Sequence, residues 1–186
     1  MKTFYITTLG CKVNHYESDG IANELSRNGF TRVNDAVSAD IAIVNTCAVT
    51  SKAAMQSRQA VRKIIRLNPQ AKVIVTGCHA QTEPERVKEI ENVYCVTGHR
   101  DKFKIAKAII ASENSDNDNG LDSIEPPHSN QCKDKEFISF TPAVTGDMTR
   151  AYLKIQDGCN AFCTYCIIPH ARGRSRSMPE KEVIKH

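Results

Sequence analysis

The sequence predicts an α/β fold, a mostly parallel sheet with helices on both faces. Three observations carry this. From residue 2 to 111, short apolar runs alternate with helical stretches. The apolar runs lack the in–out polarity of half-exposed strands, as strands covered on both faces do. Three of them end in Gly-Cys or Thr-Cys, just ahead of a helix.

Taken in order, "TFYITTLGC" is the first strand. The helix "NHYESDGIANELSRNGF" follows, with Ile21, Ala22 and Leu25 on one face. Asn14 and Glu17 read as a capping box at its start, and Gly29 as its stop. A short extra strand is expected near "FTRV". "DIAIVNTC" is the next buried strand, and "SKAAMQSRQAVRKIIRLNP" a helix ended by Asn68-Pro69. "AKVIVTGC" is a further strand, then "TEPERVKEI" a helix with Thr82 and Glu85 as a second capping box. "NVYCVTG" and "DKFKIAKAIIAS" complete the alternation.

From Ser112 the pattern breaks. "SENSDNDNGLDSIEPPHSNQCKDKE" is polar and aperiodic, and contains Pro126-Pro127. The expected organisation is an α/β domain over 1–111, a linker over 112–147, and the start of another domain over 148–186. "RAYLKIQDGC" reads as another strand ending in Gly-Cys. So short a remnant cannot bury a core, so the chain reads as a fragment of a longer protein.

Hydrophobic residues make up 40% and charged residues 25%, the balance of a soluble globular chain. No apolar run approaches the roughly 18 residues of a spanning helix. The N-terminus enters a strand directly, without a signal-peptide pattern, so a cytoplasmic protein is expected. There, clustered cysteines point to metal or thiol chemistry rather than disulfides. The net charge of +4 allows nucleic-acid binding without arguing for it.

Cys11, Cys47 and Cys78 each end a predicted parallel strand. Right-handed crossovers bring such ends to one sheet edge, where α/β folds bind ligands. Helix N-termini face that edge and favour an anionic centre by roughly 0.3–1 kcal/mol each. One such cysteine alone would read as a small core residue. Three at equivalent positions read as ligands. Cys95 lies inside a strand and reads as core; Cys132, in the polar segment, reads as incidental.

"DGCNAFCTYCIIPH" puts Cys159, Cys163 and Cys166 in a CxxxCxxC spacing. Three thiolates in one loop can hold zinc or an iron–sulfur cluster. A closed zinc site wants a fourth ligand, for which His170 is the nearby candidate. The ferredoxin run CxxCxxCxxxC is absent. A four-iron cluster on three cysteines leaves one iron open for another molecule.

The stretch "GCNAFCTYCIIPHARGRSRS", with Tyr165 before the last cysteine, resembles the signature loop of radical S-adenosylmethionine enzymes. Together with "TLGCKVNHYES", "VNTCAVTSKAAMQSRQAVRKI" and "VTGCHAQTEP", the chain resembles the methylthiotransferase family of that superfamily. The resemblance covers about 1–111 and 148–186. It implies a Rossmann-like N-terminal domain followed by the start of a radical β/α barrel. It further implies an auxiliary [4Fe–4S] cluster on Cys11, Cys47 and Cys78 and a second on Cys159, Cys163 and Cys166. S-adenosylmethionine would bind at the second, near Tyr165. The implied partners are a tRNA substrate and a flavodoxin- or ferredoxin-like electron donor, with no membrane.

"CKVNHYES" is most like the branch that methylthiolates C2 of N6-threonylcarbamoyladenosine beside the tRNA anticodon, at position 37. The alternatives are the branches acting on isopentenyladenosine in tRNA or on a ribosomal-protein aspartate. From other classes, an iron–sulfur electron carrier or a zinc-binding module remains. Lys52, Arg58, Arg62, Lys63 and Arg66 offer a basic helix face to phosphates or to solvent. Arg172, Arg174 and Arg176 could reach phosphate, a cofactor carboxylate or solvent. His79 and His170 read as hydrogen-bonding or surface groups rather than ligands. Asn14, Asn45 and Thr46 read as donors to the site or as turn residues.

Overall fold

The structure is a computed structural model that describes residues 2–114, 137–140 and 152–185. The bulk of the predicted linker, Cys132 included, lies outside these. Five parallel strands form one sheet in the order β2-β1-β3-β4-β5. They are β1 (Thr3–Thr8), β2 (Thr31–Arg32), β3 (Ile41–Thr46), β4 (Lys72–Gly77) and β5 (Val93–Val96). The expected short strand at "FTRV" is β2.

Strand side chains alternate between two cores. Phe4, Ile6, Ile41, Ile43 and Ile74 face helices α1 (Lys12–Arg27) and α5 (Lys102–Asn114). Ala42, Val44, Val73 and Val75 face α2 (Ser51–Leu67) and the short α4 (Pro84–Lys88). Every residue of β3 is buried, which explains its lack of polar alternation.

Both predicted capping boxes fail. The α1 N-cap is Cys11, with no side-chain cap, because the helix starts upstream of Asn14. Asn14 and Glu17 are buried instead. At its far end α1 closes as read: the Gly29 N–H donates to Ser26 O and the Phe30 N–H to Leu25 O. The second box fails because α3 (Cys78–Thr82) starts directly at the cysteine and ends before α4, with Pro84 opening the latter. Thr82 turns its hydroxyl back onto Cys78 O at 3.0 Å.

Residues 152–185 form smaller elements. "RAYLKIQDGC" gives only β6 (Gln156–Asp157), antiparallel to β7 (Arg176–Ser177), not a strand of the main sheet. Helices α6 (Ile168–Arg172) and α7 (Glu180–Lys185) flank β7, and α6 packs on α3.

Candidate functional site

The sheet register places the first triplet. Strands β1, β3 and β4 are neighbours, with Thr8 opposite Asn45 and Thr46 opposite Gly77. Cys47 and Cys78 therefore leave adjacent strands from paired positions, about 4.8 Å apart across the ladder. Gly10 brings Cys11 to the same edge. A Cβ on Gly10 would stand 2.7 Å from Cys47 Sγ, and its φ of +102° suits glycine. Gly77 has the same φ, and a Cβ there would strike the Thr46 backbone. Cys47 and Cys78 are buried and Cys11 is exposed. Cys95 packs partly against the core, as read.

Hydrogen bonds brace this edge. Asn14 Nδ2 donates to Leu9 O at 2.8 Å and to Thr46 O at 3.1 Å, tying the β1 and β3 turns together. Asn45 Nδ2 donates to Asn14 O at 2.9 Å. The Thr46 hydroxyl donates to Thr76 O and accepts from the Ala80 N–H. These groups hold the turns; their donors are used within the protein. Ser57 caps the Cys47 backbone, at 3.1 Å to both its N–H and its carbonyl. His79 is buried against Arg58 at 3.2 Å, and burial pushes its pKa down. It is a hydrogen-bonding group, as expected.

The second triplet sits in the loop between β6 and α6. Cys163 is exposed, while Cys159 and Cys166 are partly covered. The Cys159 N–H donates to Gly173 O and the Ser175 N–H to Asn160 Oδ1, closing the loop at its base. Tyr165 is 88% exposed. Arg174 lies 4.5 Å over the Phe162 ring, and His170 meets that ring edge-on.

Between the triplets lies a buried ionic hub that the sequence did not disclose. Glu17 is 2.5 Å from Lys102 Nζ, 2.8 Å from Lys154 Nζ and 3.1 Å from Arg172 Nη1. Asp157 is 2.8 Å from His99 Nε2, 2.9 Å from Lys154 and 3.0 Å from Arg172. Arg172 Nη2 also donates to Asn14 Oδ1 at 2.6 Å. Arg172 and Arg176, two of the arginines read as reaching phosphate, cofactor or solvent, are buried instead.

Burial opposes ionisation of Glu17, but Lys102, Arg172 and Lys154 hold its carboxyl well below the ordinary range. Asp157 is depressed for similar reasons, its burial outweighed by His99, Lys154 and Arg172. Burial lowers the His99 pKa to about 4, so the ring is neutral and donates from Nε2 to Asp157. The polar stripe on α1 was the available signal: Asn14, Glu17 and Ser18 share the face of Ile21 and Leu25. Lys102 likewise interrupts the apolar face of Ile105 and Ile109.

Glu17, His99 and Asp157 also bring ligand-type atoms within 4.8 Å of one another. Charge argues against a cation there. Two carboxylates already face Lys102, Lys154, Arg172 and, at 3.7 Å, Arg176. This is a hub with surplus positive charge. Neither cysteine triplet has its sulfurs drawn together within that distance among the described residues. Thiolates that bind different irons of one cluster need not converge as ligands of a single ion must. The donor set is soft and clustered at one edge, with cations beside it: burial raises the Cys78 pKa, while Arg172 and Lys102 pull it down.

A parallel α/β sheet with three cysteines at neighbouring strand ends is the class of protein seen here. The chain belongs to the family described as "Uncharacterized protein family UPF0004", whose model matches residues 3–98, about half its length. It is 43% identical over all 186 residues to "Threonylcarbamoyladenosine tRNA methylthiotransferase MtaB" of Bacillus subtilis, covering 40% of that protein. It is 34% identical to the protein of the same name from Chlamydia pneumoniae, over 98% of this chain and 38% of that one. It is 33% identical to "tRNA-2-methylthio-N(6)-dimethylallyladenosine synthase" of Thermodesulfovibrio yellowstonii, over 99% of this chain and 41% of that one. The chain is thus homologous to these methylthiotransferases and spans about two-fifths of their length. No helix among the described residues is long and apolar enough to cross a membrane.

Proposed function

We propose that the chain carries the cluster-holding part of a radical S-adenosylmethionine methylthiotransferase that modifies C2 of N6-threonylcarbamoyladenosine in tRNA. The carrying observation is the convergence of Cys11, Cys47 and Cys78 on one sheet edge, with α6, the helix that follows the CxxxCxxC loop, packed on the α3 that Cys78 opens. In this reading residues up to the end of α5 are the Rossmann-like domain, and 148–186 begin the radical barrel. Cys11, Cys47 and Cys78 hold an auxiliary [4Fe–4S] cluster; Cys159, Cys163 and Cys166 hold the second.

When bound, the clusters supply an electron for cleaving S-adenosylmethionine and a vacant iron for presenting sulfur. The chain's own residues do the rest. Asn14 and Thr46 fix the turns that aim the first three thiols. Lys102 and Arg172 provide positive charge beside Cys78. Exposure of Cys163 and Tyr165 leaves the second loop open to a nucleoside-sized cofactor. The exposed Lys52, Arg62, Lys63 and Arg66 on α2 supply phosphate contacts for tRNA. A flavodoxin- or ferredoxin-like donor in the cytoplasm completes the partners.

The threonylcarbamoyladenosine branch rests on "CKVNHYES" and on the 43% identity to the Bacillus protein, against 33% for the dimethylallyladenosine relative. The test is anaerobic reconstitution of the full-length protein, with iron and sulfide counted. Cys47→Ser should lose one cluster and Cys163→Ser the other, and tRNA nucleosides should gain the methylthio group only when both are present. Zinc without sulfide would overturn the reading. A different modified nucleoside would move the protein to another branch.

A further inference from the structure

Arg172 touches both halves of the proposed site. It ends α6, a few residues beyond Cys166, and α6 packs on α3, which Cys78 opens. Its guanidinium donates to Glu17 at 3.1 Å, Asp157 at 3.0 Å and Asn14 at 2.6 Å, and its charge pulls down the pKa of the buried Cys78 thiol. Each partner is one step from a cysteine turn. Asn14 and Glu17 lie on α1, whose N-cap is Cys11. Asp157 precedes Cys159 by two residues. Asn14 also holds the carbonyl just before Cys47. Arg172 is buried, and only a planar fork serves so many acceptors at once.

We propose that Arg172 is a positioning residue that fixes the distance between the two cysteine triplets and supplies a fixed positive charge to the first. This rests on the proposed function above. Surplus charge is what such a site requires: the hub's cations outnumber its carboxylates, and a thiolate-bound cluster beside Cys78 is the anion that balances them. Charge sets the potential of that cluster; geometry sets how often a radical made at one site is used at the other.

The two effects separate by experiment. In full-length protein with Cys159, Cys163 and Cys166 changed to serine, only the first cluster assembles. Its midpoint potential is read by redox titration with electron paramagnetic resonance. Arg172→Met should shift it down, Glu17→Gln should shift it up, and Arg172→Lys should leave it near the parent. A merely structural role gives no such opposed signs. With both triplets intact, Arg172→Lys should lower the methylthiolated nucleoside formed per 5′-deoxyadenosine by roughly tenfold, since lysine lacks the fork.

Equal potentials in the Glu17→Gln variant and the parent, or an unchanged product ratio in Arg172→Lys, would overturn the proposal. Should Arg172→Met assemble no iron, the Glu17→Gln shift and the Arg172→Lys ratio still decide it. A parent protein that binds no cluster, or keeps its first cluster after Cys78→Ser, overturns the functional reading instead.

Discussion

The first cysteine triplet is spread over three strand ends; the second is held within one loop of eight residues. Sheet hydrogen bonds place the first, so its geometry is inherited from the most buried part of the molecule. The second depends on a few contacts at the loop base, and its middle cysteine is exposed. Long-range placement gives rigidity and buries Cys47 and Cys78, leaving only Cys11 of the three exposed. Local placement gives access.

The largest way to break the comparison is to remove the hub that joins the two. Glu17→Gln leaves Lys102, Lys154 and Arg172 short of a buried counter-charge, and should cost about 3–5 kcal/mol in urea unfolding. A cost under about 1 kcal/mol would mean the hub is wetter than it looks.

Acid should act on the same place. His99 titrates near 4 when folded against about 6.5 unfolded, so the unfolded chain takes up the extra proton. Stability is therefore full above about pH 6.5 and lost as pH falls toward 4, by on the order of 3 kcal/mol. Below that, protonation of Glu17 and Asp157, both held under their ordinary range, removes more. Unfolding midpoints measured from pH 7 to 4 should fall throughout, and His99→Gln should flatten the upper part of that slope.

A smaller change sharpens the contrast between triplets. Gly77→Ala forces a side chain into positive φ against the Thr46 backbone, costing about 1–3 kcal/mol from conformation alone. After reconstitution this variant should lose iron from the first triplet and keep it at the second. Least of all, Tyr165→Ala should change stability by no more than about 0.5 kcal/mol, since the ring is exposed. Thermal unfolding reads this directly.

The parallel sheet was legible because short apolar stretches in β1, β3 and β4 each lead into Gly-Cys or Thr-Cys ahead of a helix. Strand-end positions in the sequence put Cys11, Cys47 and Cys78 at one edge of the sheet, where the ladder register places them. Asn14 and Glu17 were misread, because a polar pair near a helix start fits a cap as well as a buried stripe. The hub could not be seen whole. Glu17 meets Lys102, Lys154 and Arg172 across 85, 137 and 155 residues, and no local pattern encodes such pairings. Near β6 a strand was expected; what escaped was its shortness and its antiparallel pairing with β7 across the cysteine loop.

Those long separations also bear on the order in which the chain folds. The βαβ pairings of the sheet are shorter in sequence and can form once residues up to α5 have left the ribosome. The contacts of Arg172 with Asn14 and Glu17 must wait until the chain has been made as far as α6. During that wait the open edge of the sheet shows water a carboxylate, a lysine and an amide rather than an apolar patch. An interface of leucines would offer the nascent domain a surface to aggregate through. A hub of charges keeps the unfinished surface hydrated and loses its water only when Lys154, Asp157 and Arg172 arrive.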